Sequence, residues 1–100
     1  MTQEKDKAAK DIDGWRKRID ELDAKLVELL SERSRCAAEI GKLKRKDGEP
    51  IFSPRREQEI LERVQKLNRG PLGNEAVRRL FERILDEARV VEKESYEEKK

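Results

Sequence analysis

Stepping along the chain by threes and fours from Ile12 gives Trp15, Ile19, Leu22, Leu26, Leu29, Arg33, Cys36, Ile40 and Leu43, so that nine of ten positions are apolar. That spacing is a heptad seam on one helix face. It predicts a first helix from about Asp11 to about Lys46, rich in Leu, Ala, Glu, Lys and Arg, with Gly14 near its start and Gly41 near its end. A helix of that length spans roughly 54 Å, whereas a compact hundred-residue globule has a radius of gyration near 13 Å. A partner chain is therefore expected to cover the seam. Asp47-Gly48-Glu49-Pro50 breaks the pattern, and Ser53-Pro54 reads as an N-cap serine followed by proline at the first helical position. The second helix carries Glu57, Ile60, Leu61, Val64 and Leu67 on its buried face and ends between Asn68 and Gly73. A third runs from about Asn74 to about Glu94, with Val77, Leu80, Phe81, Ile84, Leu85, Ala88 and Val91 at helical spacing. Residues 1–10 are expected to form a flexible charged tail, 11–94 the helical domain and 95–100 a frayed end. Nothing alternates with a period of two, so the fold class is all-α, with one very long, one short and one medium helix.

Composition sharpens this picture. Only 34% of the hundred residues are hydrophobic and 48% are charged, which in an aperiodic chain would suggest disorder. The seam argues instead for exposed helices. The formal charge is only +2, with no block of one sign long enough to mark a nucleic-acid arm and no apolar run of membrane-spanning length. The first ten residues have no apolar signal region, so the expected location is the cytoplasm, with neither nucleic acid nor membrane as partner. Cys36, alone on the seam, is expected to behave as a small buried hydrophobe. The chain has no histidine, which removes Ser/His and Cys/His pairs, histidine-bearing zinc sites and a base poised near neutrality. Any chemistry must rest on fixed charges.

Several charges stand where apolar residues belong. Arg33 interrupts the seam, and its guanidinium stays protonated, so it must meet an anion or cost several kcal/mol. Lys44 lies eleven positions further on, a net rotation of about 20°, and shares its face; Arg16, seventeen positions before Arg33, points elsewhere and is expected to join from a second chain. Glu57 shares a face with Ile60, Leu61 and Val64, and Glu92 shares one with Phe81, Leu85 and Ala88. Singly, each has a structural explanation: Arg33 paired with Glu57, Lys44 reaching water, Glu92 on a solvated edge. Together, five such charges suit a small polyanionic ligand bearing a hydroxyl.

The segments Trp15-Arg16-Lys17-Arg18-Ile19-Asp20, Leu29-Leu30-Ser31-Glu32-Arg33, Ile40-Gly41-Lys42-Leu43-Lys44, Ser53-Pro54-Arg55-Arg56-Glu57, Gly70-Pro71-Leu72 and Leu80-Phe81-Glu82-Arg83-Ile84 carry a resemblance in order and spacing. Over roughly residues 12–92 the chain resembles the all-helical chorismate mutases, small dimeric enzymes that convert chorismate to prephenate in aromatic amino acid biosynthesis. The resemblance implies an intertwined homodimeric helical bundle that needs no cofactor or metal. It implies that Arg33 and Lys44, with Arg16 from the other subunit, hold the substrate's two carboxylates, and that Lys44 also faces the ether oxygen of the breaking bond. Glu57 would accept from the ring hydroxyl, Arg56 would order the site, and Glu92 would meet the ether oxygen from the opposite side. Ser53 stands where the family often has Asp, Ala88 where it often has Ser, and Glu92 where it often has Gln. Ionised, Glu92 would repel the ether oxygen, so its working form is expected to carry a proton and activity to fall as pH rises.

Two other functions share the fold. One is an isochorismate-pyruvate lyase, although such relatives have a shorter segment between the first two helices than Arg45 to Phe52 here. The other is a non-catalytic module that binds chorismate or prephenate for another enzyme of the pathway; Gly70-Pro71-Leu72 resembles mutase domains attached to such an enzyme.

Overall fold

The computed structural model describes residues 11–97, and these form three helices: α1 (Ile12–Asp47), α2 (Pro54–Leu67) and α3 (Asn74–Glu97). The expected tail at residues 1–10 and the last three residues lie outside the described range. The chain divides into two compact units, one ending at Arg33 and the other beginning at Ser34, so α1 contributes to both.

Local signals set the helix ends. Asp11 caps α1: its carboxylate accepts from the Gly14 backbone N–H at 2.8 Å, and its carbonyl accepts from Trp15 at 3.1 Å. At the other end Glu49 donates to the Lys44 carbonyl at 2.8 Å and Gly48 to that of Arg45 at 3.3 Å. Gly48 has φ of 72°, the left-handed conformation that this two-bond helix stop requires and glycine adopts without steric cost. Ser53 is extended (φ −130°), and its hydroxyl accepts from the Arg56 N–H at 3.4 Å, with Pro54 opening α2.

In the first unit the seam residues Ile12, Trp15, Ile19, Leu22, Leu26 and Leu29 are all exposed. In the second, Ile60 and Leu61 of α2 and Leu85 of α3 form the buried core, with Val64 and Phe81 packed against it. Leu67 and Leu80, expected on buried faces, are exposed. Each lies at the margin of a stripe wider than one neighbouring helix covers. Cys36 is also exposed, as are Ile40 and Leu43 further along the same seam. The line that packs inward on this part of α1 is the adjacent one, Ala37 and Gly41. Gly41 is there because α3 passes very close: a Cβ built on it would sit 2.3 Å from the carbonyl oxygen of Glu92.

The last helix ends three residues beyond the expected boundary, at Glu97, and Ser95 is buried. Ser95 continues the Ala88, Val91, Glu92 stripe at offsets of seven, four and three. An apolar-only reading of the stripe leaves out this small polar residue.

Candidate active site

Lys44 follows Gly41 by three residues and so lies on the same inward line of α1. The turn at Gly48 sends the chain back so that the Ile51 carbonyl oxygen accepts from Lys44 Nζ at 2.6 Å. Where α3 passes Gly41, Glu92 Oε1 accepts from the same ammonium at 3.0 Å. Both side chains are largely withdrawn from solvent, at 17% and 14% exposure. An ammonium has three N–H groups, so one remains to meet a ligand. Neither partner is the solvent that a lysine at a helix terminus ordinarily reaches. Glu92, for its part, is off any solvated edge.

A second cluster forms on α2 and α3. Glu57, on the first turn of α2, accepts from Arg89 Nε at 2.7 Å through Oε2. Arg89 Nη2 also donates to Asp86 Oδ1 at 2.6 Å, and the guanidinium lies over the Phe52 ring, 5.0 Å from its centre. The hydrogen bond to Glu57 raises the Arg89 pKa above its ordinary value, burial opposes this, and the charges of Glu57 and Asp86 add to it. Sequence reasoning did not single out Arg89. The criterion that found Glu57 applies to it equally, since Arg89 stands one turn beyond buried Leu85, a cation on an apolar stripe.

The remaining expected residues are distributed as follows. Arg56 is exposed and reaches Glu59 at 3.5 Å. Ser53 caps α2, and Ala88, half-buried, precedes Glu92 by one turn. Arg33 is half-buried and Arg16 exposed, both on the part of α1 that belongs to the first unit. The second unit thus brings Lys44 and Glu92 together and gives Glu57 an arginine partner. Among the described residues no group of three or more His, Cys, Asp or Glu side chains is arranged to hold a metal ion, and no helix is long and apolar enough to cross a membrane.

The sequence pattern of chorismate mutase type II matches residues 15–93. This chain belongs to the type II chorismate mutase family. The bifunctional chorismate mutase/prephenate dehydratase of Pseudomonas aeruginosa is 46% identical over 82 residues, covering 77% of this chain and 22% of that protein. The chain thus spans about a fifth of the length of such bifunctional relatives. The chorismate mutase of Methanocaldococcus jannaschii is 32% identical over 84 residues, covering 83% of this chain and 85% of the relative. Among solved structures, the Helicobacter pylori chorismate mutase in complex with prephenate superimposes with a TM-score of 0.81 at 30% identity, covering 89% of this chain and 97% of that one.

Proposed function

We propose that this chain is a chorismate mutase, catalysing the [3,3] rearrangement of chorismate to prephenate by restricting the substrate's conformation and stabilising charge. The observation that carries this reading is Lys44: an ammonium largely out of water, fixed from two sides by Ile51 and Glu92, with one donor left over. Family membership supports it.

The reaction is intramolecular and transfers no proton, so it requires no base, metal or cofactor. A catalyst must hold a flexible dianion in a compact chair and meet negative charge growing on the ether oxygen. Lys44 is assigned the second function through its remaining N–H, its ammonium held in place by Ile51 and Glu92 before substrate arrives. Glu92 accepts from Lys44 at 3.0 Å and is assigned, with it, to the same ether oxygen. Arg16 and Arg33 are assigned to the substrate carboxylates, Glu57 to the ring hydroxyl and Arg56 to ordering the site, with Ser53 and Ala88 in supporting positions. The exposed apolar seam of the first unit supports a homodimer in which a second copy covers it and contributes its Arg16. The reading places the protein in the cytoplasm with its substrate. Relatives that join a mutase to a prephenate dehydratase favour association with an enzyme that consumes the product.

The purified chain incubated with chorismate is expected to yield prephenate. Incubation with isochorismate is expected to leave the substrate unchanged. Salicylate and pyruvate from isochorismate would establish the lyase instead, and binding of chorismate without turnover would establish a regulatory module.

A further inference from the structure

Glu57 has two carboxylate oxygens, and Arg89 takes one of them. Oε2 accepts from Arg89 Nε at 2.7 Å, while among the described residues nothing donates to Oε1. The guanidinium is itself fixed from two other directions. Asp86, one turn earlier on α3, accepts from Nη2 at 2.6 Å, and the Phe52 ring lies against the guanidinium face. Phe52 directly follows Ile51, whose carbonyl holds Lys44. One side chain therefore ties α3 to the start of α2 and to the segment that also orients the ammonium.

A lone glutamate on a first helical turn samples several rotamers, and each rotamer aims its oxygens differently. A guanidinium held by a second carboxylate and an aromatic face removes that freedom, because in its rigid planar fork the direction of the Nε donor is fixed once the Nη2 donor and the ring face are engaged. We propose that Arg89 is a positioning residue for substrate recognition, holding Glu57 through Oε2 so that Oε1 is presented to the ring hydroxyl of the substrate. The inference rests on the mutase reading above and assigns to Arg89 the selection of hydroxylated substrate over its deoxy counterpart. It does not touch the reacting bond.

The test compares the full chain with Arg89→Gln, Arg89→Lys, Glu57→Gln and the double variant Glu57→Gln/Arg89→Gln, on chorismate and on an analogue lacking the ring hydroxyl. Arg89→Gln is expected to raise KM for chorismate about tenfold, the scale of one misdirected hydrogen bond to a charged group, with a smaller change in kcat. Its kcat/KM for the deoxy analogue should stay within about twofold, since that substrate offers Glu57 nothing to bind. Arg89→Lys should fall between, keeping the charge but losing the fork. In the Glu57→Gln background the Arg89 substitution should add less than about twofold. Equal losses on both substrates, or independent effects of the two substitutions, would overturn the proposal. If circular dichroism shows Arg89→Gln unfolded, Arg89→Lys decides by the same ratio. Failure of the unaltered chain to make prephenate defeats the mutase reading and this inference together. Prephenate formation with an Arg89→Gln variant indistinguishable on both substrates defeats this inference alone.

Discussion

Replacing Gly41 by alanine probes the helix contact on which the Lys44–Glu92 pair depends. The added methyl carbon would lie 2.3 Å from the Glu92 carbonyl oxygen and 2.9 Å from its carbonyl carbon and Cα. All three are backbone atoms, so no side chain can swing aside. Restoring ordinary contact requires α1 and α3 to separate locally by roughly 1 Å. The Lys44 Nζ to Glu92 Oε1 distance, 3.0 Å now, would stretch beyond hydrogen-bond range unless both side chains re-extend. Two energies of opposite sign compete. Alanine is favoured over glycine inside a helix by about 1 kcal/mol, whereas overpacking a close contact costs about 1 to 3 kcal/mol or more. A contact this short against backbone places the cost at the upper end, so Gly41→Ala is expected to destabilise the protein by about 1 to 2 kcal/mol net. On the proposed reading, misplacing Lys44 by about 1 Å is expected to lower kcat/KM about a hundredfold. Urea denaturation followed by circular dichroism measures the first effect, and prephenate formation under folded conditions measures the second. A variant more stable than the parent and equally active would refute the reasoning, because that is what the helix preference of alanine alone produces.

Four further outcomes follow from the same geometry. On the proposed reading Lys44→Ala removes the donor assigned to the developing negative charge and should reduce kcat by about a hundred- to a thousandfold, or about 3 to 4 kcal/mol of transition-state stabilisation; steady-state kinetics on chorismate reads this directly. Glu92→Gln replaces the carboxylate that holds Lys44 at 3.0 Å by an amide that still offers an acceptor to the ammonium and, on the proposed reading, a donor to the ether oxygen, so it should keep kcat/KM within about tenfold of the parent while Glu92→Ala loses about a hundredfold; equal losses in the two variants would remove Glu92 from that role. Ser53→Ala deletes the α2 cap, whose bond at 3.4 Å is long, and should cost about 0.5 to 1 kcal/mol in thermal or urea unfolding. Leu26→Glu introduces charge into the exposed seam and should lower the mass seen by sedimentation to that of one chain, with loss of activity; an unchanged mass would show that the seam is not the contact between copies.

The apolar spacing and the punctuation between the helices already determine what kind of molecule this is. Asp11, Gly48 and Ser53 act through bonds to residues within five positions of themselves and Pro54 through its own fixed φ, so the ends they set can be read without knowing what lies across the fold. The seam from Ile12 to Leu43 requires a helix because its period is that of one, and the same period exposes Arg33 and Glu57 as charges on apolar faces. Tertiary structure alone decided which groups those charges meet. Glu57 and Arg89 are thirty-two positions apart and Lys44 and Glu92 forty-eight; their pairing depends on the register of one helix against another, which no local pattern encodes. The inward line of Ala37 and Gly41, one step around from the conspicuous seam, emerged only from the packing, since small residues look neutral in a hydrophobic pattern. Local backbone energetics chose the helices. Close approach at Gly41, a contact between distant backbone segments, brought Lys44 within reach of Glu92.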